Sequence, residues 1–239
     1  LKLGSRAKAA AWVATVAPIA CGGVSTPANG DPAVAEALDR VTAATAIVRA
    51  VRSDADGLIP IAIARAARCV AVVPHLVHAG VLVGARSGRG VMTCVESGAW
   101  TRPSFFMVNG ATAGLAAGFE RVDLVMLVMT DAGESALLSG KWQLGADTSI
   151  AAGPVGRSAE AATQVALGAT VIYYSRASGL FAGVDLSGTV IEMDEEATRA
   201  FYGDARDFGT LLRSPRPPPP AAATFREEVA RTFGPGGGG

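Results

Sequence analysis

At Arg68 the spacing of apolar residues drops from three and four to two, and alternation then recurs as far as Ile191. A period of two is the mark of strands, so the body of this chain is built on a sheet. Cys69-Val70-Ala71-Val72-Val73 reads as a buried strand stopped by Pro74. Residues 79–85 and 90–95 read as a hairpin turning through Arg86-Ser87-Gly88-Arg89, with glycine where a positive φ is needed. Residues 105–108 give a further strand, and 122–129, apolar on both faces after Asp123, a central one. From Trp142 to Ile150 apolar and polar residues alternate, as in a half-exposed antiparallel strand. Residues 170–174 and 184–191 continue the pattern. Gly110-x-x-x-Gly114-x-x-x-Gly118 reads as a buried strand close to another backbone, because Glu120, Arg121 and Asp123 follow too soon for a membrane helix. Glycine supplies 29 of 239 residues and aromatics only 6%, which suits a β-rich body better than a helical bundle.

Helices frame this sheet. Asp31-Pro32 is an N-cap acid followed by proline in the first turn, and Val34, Leu38, Val41, Thr45 and Val48 then form one apolar face to about Ser53. A second short helix opens at Pro60, another covers 131–139, and a closing helix runs from Asp194 to Tyr202 with Gly203 as its C-cap. The Ala-rich stretch 158–166 reads equally as helix or extended chain. The expected class is α+β: a large curved antiparallel sheet, barrel- or sandwich-like, with an N-terminal helix pair and a C-terminal closing helix.

The two ends read differently. Lys2, Arg6 and Lys8 precede an apolar run over 9–21, and no acid appears before Asp31, so 1–30 has the pattern of an export signal. Thirteen apolar residues are too few to span a bilayer. Ala20-Cys21-Gly22-Gly23 is similar to a lipoprotein cleavage box and makes Cys21 a lipidation candidate; ordinary cleavage nearby, or an N-terminal helix, is the alternative. Five of the six residues 215–220 are proline, so 214–239 reads as a Pro/Gly-rich flexible tail with one short helix over 224–233. The folded domain is then 31–213.

Little conventional chemistry is present. With 21 basic and 21 acidic residues the chain lacks the charge of a general nucleic-acid binder. His75 and His78 have no acid beside them, and no C-x-x-C or H-E-x-x-H occurs, so no metal or cofactor is expected. Gly133-Glu134-Ser135-Ala136 runs into Leu137 and fails as a nucleophile elbow, and Gly84-x-x-x-Gly88-x-Gly90 lacks the Lys-Ser/Thr of a phosphate loop. No catalytic set emerges, and the chain is not expected to be an enzyme. Four arginines remain at expected strand ends: Arg86, Arg89, Arg157 and Arg176. Gathered on one rim they would bind an anionic headgroup by charge-assisted hydrogen bonds; apart, they are solvated turn cations. On the rim reading, replacing Arg86 and Arg89 with Glu weakens binding to anionic vesicles and spares the melting temperature.

Several stretches together resemble the SYLF domain, a lipid-binding family. They are Ile59-Pro60, Gly84-Ala85-Arg86-Ser87-Gly88-Arg89-Gly90-Val91 and Trp100-x-x-Pro103-Ser104-Phe105. Ala151-Ala152-Gly153-Pro154-Val155-Gly156-Arg157, Tyr174-Ser175-x-x-x-Gly179-Leu180-Phe181-Ala182-Gly183-Val184 and Tyr202-Gly203 complete the set. Together they cover roughly 31–202 in the family's order. Cys69-Val70-Ala71-Val72-Val73-Pro74, Gly90-Val91-Met92-Thr93-Cys94 and Val128-Met129-Thr130-Asp131 look most like its bacterial, exported single-domain branch. Ala111, Thr112 and Ala113 depart from it, standing where relatives often carry more glycine.

The resemblance implies a non-enzymatic domain that binds anionic or phosphoinositide-like headgroups of membrane phospholipids. It would lie in the periplasm or be anchored through Cys21. The alternative is an envelope component that binds a protein partner and has no lipid preference. In such a compartment Cys69 and Cys94 would be either a disulfide, if their Cα atoms approach to about 5.5–6 Å, or two buried thiols.

Overall fold

The computed structural model describes residues 31–53, 59–145, 148–154, 163, 166–177, 180–181, 186–203, 207–214 and 217–234. The leader with Cys21, and Arg157, lie outside them, as does nearly all of 158–166. Helix α1 (Pro32–Ser53) starts where Asp31 Oδ1 accepts from the Ala33 amide at 2.9 Å. Its buried stripe is Ala37, Val41, Ala44, Thr45 and Val48, whereas Leu38 faces out. Ala37, Arg40 and Ala44 are buried on this helix where Leu38 is expected to be. Helix α2 (Ile61–Ala66) follows Pro60.

Strand β1 (Cys69–Glu96) runs straight through Arg86-Ser87-Gly88-Arg89, where a hairpin turn is expected from sequence. It pairs along most of its length with β3 (Ser104–Val128), and the chain reverses at Ser97-Gly98, both at positive φ, before the short β2 (Ala99–Trp100). Pro74 does not stop β1 either. It sits in a bulge between Val73 and Leu76, where His75 takes a φ of 54° and its amide donates to Asp123 Oδ1 at 3.0 Å.

Straight, a strand of 28 residues would reach about 90 Å. Instead β1 curls until its ends meet. The Val95 amide donates to the Arg68 carbonyl at 2.7 Å, and Cys69 is disulfide-bonded to Cys94 with their Cα atoms 3.9 Å apart. Within the curl, a Cβ on Gly90 would lie 2.7 Å from the Val72 carbonyl oxygen, so glycine here is what lets the two halves of one strand touch.

Helix α3 (Asp131–Leu138) is capped by Thr130, whose hydroxyl accepts from the Gly133 amide. Strands β4 (Lys141–Gln143) and β5 (Ile150–Ala152) replace the single strand expected over 142–150. A turn at Leu144-Gly145, with Gly145 at φ 89°, sends them to different places. β4 pairs with β8 (Val190–Met193), and β5 pairs parallel to β6 (Val171–Ala177). Of the strand expected over 184–191, residues 184–185 lie outside the described residues, 187–188 form a turn, and β8 begins at Val190. The sheet order is β2-β1-β3-β6-β5; β7 (Leu180–Phe181) joins β6, and β8 joins the early half of β3. The result is α+β with a large curled, mostly antiparallel sheet that forms a half-barrel.

Where β1 and β3 pair over 69–73 and 124–128 both faces of the sheet are buried, which is why these strands look apolar on both sides. Val70, Val72, Phe105, Val125 and Leu127 meet the helices outside. Their neighbours Cys69, Ala71, Val73, Phe106, Leu124 and Met126 fill the inside of the curl.

The closing helix α4 (Glu195–Tyr202) stands where expected, with Asp194 as N-cap and Gly203 in the left-handed region. The chain does not end its fold there. Helix α5 (Phe208–Leu212) follows, and α6 (Pro220–Phe233) buries Ala222, Phe225, Val229 and Phe233 against α1 and the sheet. Trp100 Nε1 donates to the Gly234 carbonyl at 2.8 Å, and Glu228 of α6 binds Arg49 at 3.0 Å and Arg52 at 3.3 Å on α1. The expected tail over 214–239 is therefore corrected: residues 220–233 belong to the core. The proline run that suggested a spacer is the lead-in to a helix with apolar residues three and four apart.

Candidate functional site

Among the described residues the sequence-named arginines do not share a rim. Arg86 is 3% exposed. Its Nη1 donates to Thr189 Oγ1 at 2.8 Å, and its stem crosses Gly110, where a Cβ would fall 3.3 Å from Arg86 Cγ and 3.2 Å from Thr189 Cα. Arg86 packs the half-barrel. Glutamate there would bury a carboxylate, so the expectation that Arg86→Glu spares the melting temperature gives way to a marked destabilisation.

Arg89 faces α1 and hydrogen-bonds Glu36, with Asp194 Oδ2 3.9 Å from its Nε. That bond holds the Glu36 carboxyl below the usual carboxylate range, against a smaller opposing effect of burial. Arg176, opposite Asp123 in the β3–β6 register, borders a cleft of about 400 Å³, mouth included, lined by Ile47, Val51, Ile59, Val125 and Tyr174. Glu36 and Ile47 are eleven residues apart on α1, about 16 Å at the helical rise, so Arg89 and Arg176 sit beside opposite ends of that helix.

The other sequence candidates resolve as follows. His75 and His78, without an acid beside them in sequence, lie on β1 and meet acids across the sheet: His75 Nδ1 is 3.4 Å from Asp123 Oδ1, and His78 is paired with Glu120 in register. The Glu134 carboxylate lies within 4.8 Å of the Cys69 and Cys94 sulfurs. Those sulfurs are bonded to each other, and Glu134 is held by Arg68 at 2.7 Å, so the trio offers no ligand set. Gly153 of the Gly-Pro-Val-Gly-Arg segment lies against a ring: a Cβ there would be 2.1 Å from Tyr174 Cζ.

A different feature stands out at the far bend of the β1–β3 hairpin. β1 folds sharply over residues 80–84, so tightly that a Cβ on Gly80 would fall 2.3 Å from the Gly84 Cα. Val83 at this fold is 71% exposed, and Phe119, paired with Ala79 across the hairpin, is 61% exposed. Phe119 and Arg121, two apart on a strand, share a face, and the Arg121 guanidinium stacks 4.9 Å from the Phe119 ring centroid. Glu120 points the other way by the same alternation. Sequence reasoning missed this pair. The signal was an aromatic residue placed between a glycine run and a cation at i+2, in a chain otherwise poor in aromatics.

Among the described residues no helix is long and apolar enough to cross a membrane.

The family model described as Las17-binding protein actin regulator (Ysc84) matches residues 109–232. LAS seventeen-binding protein 3 of Saccharomyces cerevisiae is 40% identical over 184 residues, which is 75% of this chain and 40% of that protein. Protein YSC84 of the same yeast is 38% identical over 172 residues, 70% of this chain and 36% of that protein. SH3 domain-containing YSC84-like protein 1 of Homo sapiens is 33% identical over 185 residues, 76% of this chain and 53% of that protein. The chain thus spans about half or less of the curated relatives it matches.

Proposed function

The chain belongs to the Ysc84 (SYLF) family, and on that premise we propose that it is a non-enzymatic module that holds to anionic membrane surfaces. The observation that carries this reading is the exposed Phe119 ring with Arg121 stacked on it, together with exposed Val83 on the fold over 80–84. An aromatic ring favours the membrane–water boundary, and a guanidinium beside it would sit at headgroup level. One basic residue near an anionic surface contributes about 1 kcal/mol, so this tip alone binds weakly. An acyl chain on Cys21 would supply the second signal that stable residence needs and would place the domain at a membrane after export. Of the arginines named from sequence, Arg176 and Arg157 keep a headgroup role in this proposal; Arg89 would have to leave Glu36 to serve.

The test is flotation of the chain with neutral and anionic vesicles at low and physiological salt. Co-flotation with anionic vesicles that weakens with salt supports the reading. Absence of flotation with either kind overturns it.

A protein partner is the second reading. The yeast relative is named for binding LAS seventeen, and this chain matches 40% of that protein. On that reading the chain shows no lipid preference and elutes in a stable complex with its partner.

A further inference from the structure

A cleft of about 940 Å³, mouth included, opens between the β1–β2 turn, α5 and the prolines that lead into α6. Among the described residues three guanidinium groups line it, Arg102, Arg213 and Arg226, against the single carboxylate of Glu96. Arg213 and Glu96 pair with each other at 3.1 Å on the exposed rim. Two cations are left over, and they are held quite differently.

Arg102 is 8% exposed. Its Nη1 donates to Ser214 Oγ at 2.7 Å, and its guanidinium lies 4.3 Å from the Tyr202 ring centroid. Tyr202 is fixed in turn by its hydroxyl, which donates to the Pro103 carbonyl at 2.6 Å. Yet Arg102 Nε is buried and, among the described residues, has no acceptor. A positioned guanidinium with an unused donor is unusual, because buried polar groups are nearly always paired. Arg226, on α6, is half-buried and, among the described residues, makes no ion pair or hydrogen bond. The walls are stiff: Pro217 and Pro218 have fixed φ and no N–H to compete for an anion, and Trp100 is held through Nε1 by Gly234.

We propose that this cleft binds an oxyanion of the phosphate class, its oxygens taken by Arg102 and Arg226, with Arg213 moving from Glu96 as a third donor. Guanidinium forks match the paired oxygens of phosphate, and an excess of two positive charges matches a phosphate dianion better than a lone carboxylate. The site shares no residue with the Phe119 tip and does not depend on membrane contact there.

Calorimetric titration of the full chain at low salt tests it, with inorganic phosphate and inositol hexakisphosphate as probes. The expected result is saturable one-to-one binding that Arg226→Glu weakens at least tenfold with no change in melting temperature. Arg102→Lys, which keeps the charge and removes the fork, weakens it several-fold. Arg121→Glu, a charge change elsewhere on the surface, leaves it intact. Vesicles of phosphatidic acid then tell the two sources of such a group apart. If they displace the soluble probe, the ligand is a headgroup phosphate; if they do not, it is a soluble phosphate, and either keeps the site. Absence of saturable binding to both probes overturns the proposal, as does an equal loss with Arg121→Glu.

Discussion

Asp194 accepts a hydrogen bond from Arg40 at 2.8 Å, and both side chains are 5% exposed or less. The same carboxylate caps α4 by accepting from the Ala197 amide at 3.1 Å, and the Asp194 amide donates to the Phe105 carbonyl at 3.0 Å. Arg40 also reaches Glu36 at 3.0 Å and lies 5.5 Å from the Phe105 ring centroid. One buried acid therefore ties α1, the sheet and the closing helix together.

Asp194→Ala strands the Arg40 charge and removes a cap. A loss on the order of 3–5 kcal/mol follows, or roughly 10 °C in melting temperature. Adding Arg40→Met recovers part of it, because a neutral side chain no longer needs the acid. Urea unfolding of the single and double variants measures both effects.

The Cys69–Cys94 bond closes a span of 25 residues. Chain-entropy arithmetic assigns such a loop about 3.5 kcal/mol. Reduction, or replacement of both cysteines by serine, should lower the melting temperature by about 10 °C while β1 keeps its curl through the Val95–Arg68 hydrogen bond. Calorimetry with and without reductant, and circular dichroism for the fold, check the two halves of that statement.

Gly90 and Gly140 separate crowding from backbone strain. A Cβ on Gly90 would meet Phe106 Cζ at 2.4 Å and the Val72 carbonyl oxygen at 2.7 Å; at Gly140, with φ 90°, it meets nothing within 4 Å. Gly140→Ala should cost about 1–2 kcal/mol, the price of a left-handed residue. Gly90→Ala should cost 3 kcal/mol or more, on the order of overpacking that backbone cannot relieve. Equal losses would mean that Gly90 is not where the two halves of β1 crowd each other.

Acid and alkali should each loosen the helical layer by a definite route. The Arg49 hydrogen bond holds the Glu228 carboxyl below the usual range, as Arg89 does for Glu36 and the Thr210 hydroxyl for Asp207. A carboxyl with a lower pKa folded than unfolded binds fewer protons in the native state, so its contribution is complete above its unfolded value, near 4. It is lost as pH falls through the folded value. Burial pushes the Tyr174 and Tyr202 phenols up, so their contribution is complete below about 10 and lost as pH rises beyond it. Glu228→Gln should flatten the acid limb of a melting-temperature profile and leave the alkaline limb unchanged.

The sequence made some of this legible and hid the rest for identifiable reasons. The caps at Asp31, Asp194 and Gly203 are local chemistry, and those helices stand where the caps place them. Alternation gave the strands and their two-sided burial. It did not give their lengths, because a bulge at Pro74 and a fold at Gly80–Gly84 let one strand continue where proline and glycine ordinarily end it. The arginines at 86 and 89 were misread for that reason: once no turn exists there, one points into the core and the other onto α1. The helix over 224–233 was legible, but the prolines before it, which read as a spacer, hid its start at Pro220 and its place in the core. Arg40 was hidden because a cation on an apolar stripe looks like a register error until Asp194, 154 residues away, is brought to it.

The most direct measurement is vesicle flotation of the Phe119→Ser, Arg121→Glu double variant beside the unaltered chain. Both side chains are exposed, so the melting temperature should stay the same. The account predicts that binding to anionic vesicles falls at least tenfold. Undiminished binding by a folded variant would contradict it and take the membrane contact away from the folded end of the half-barrel.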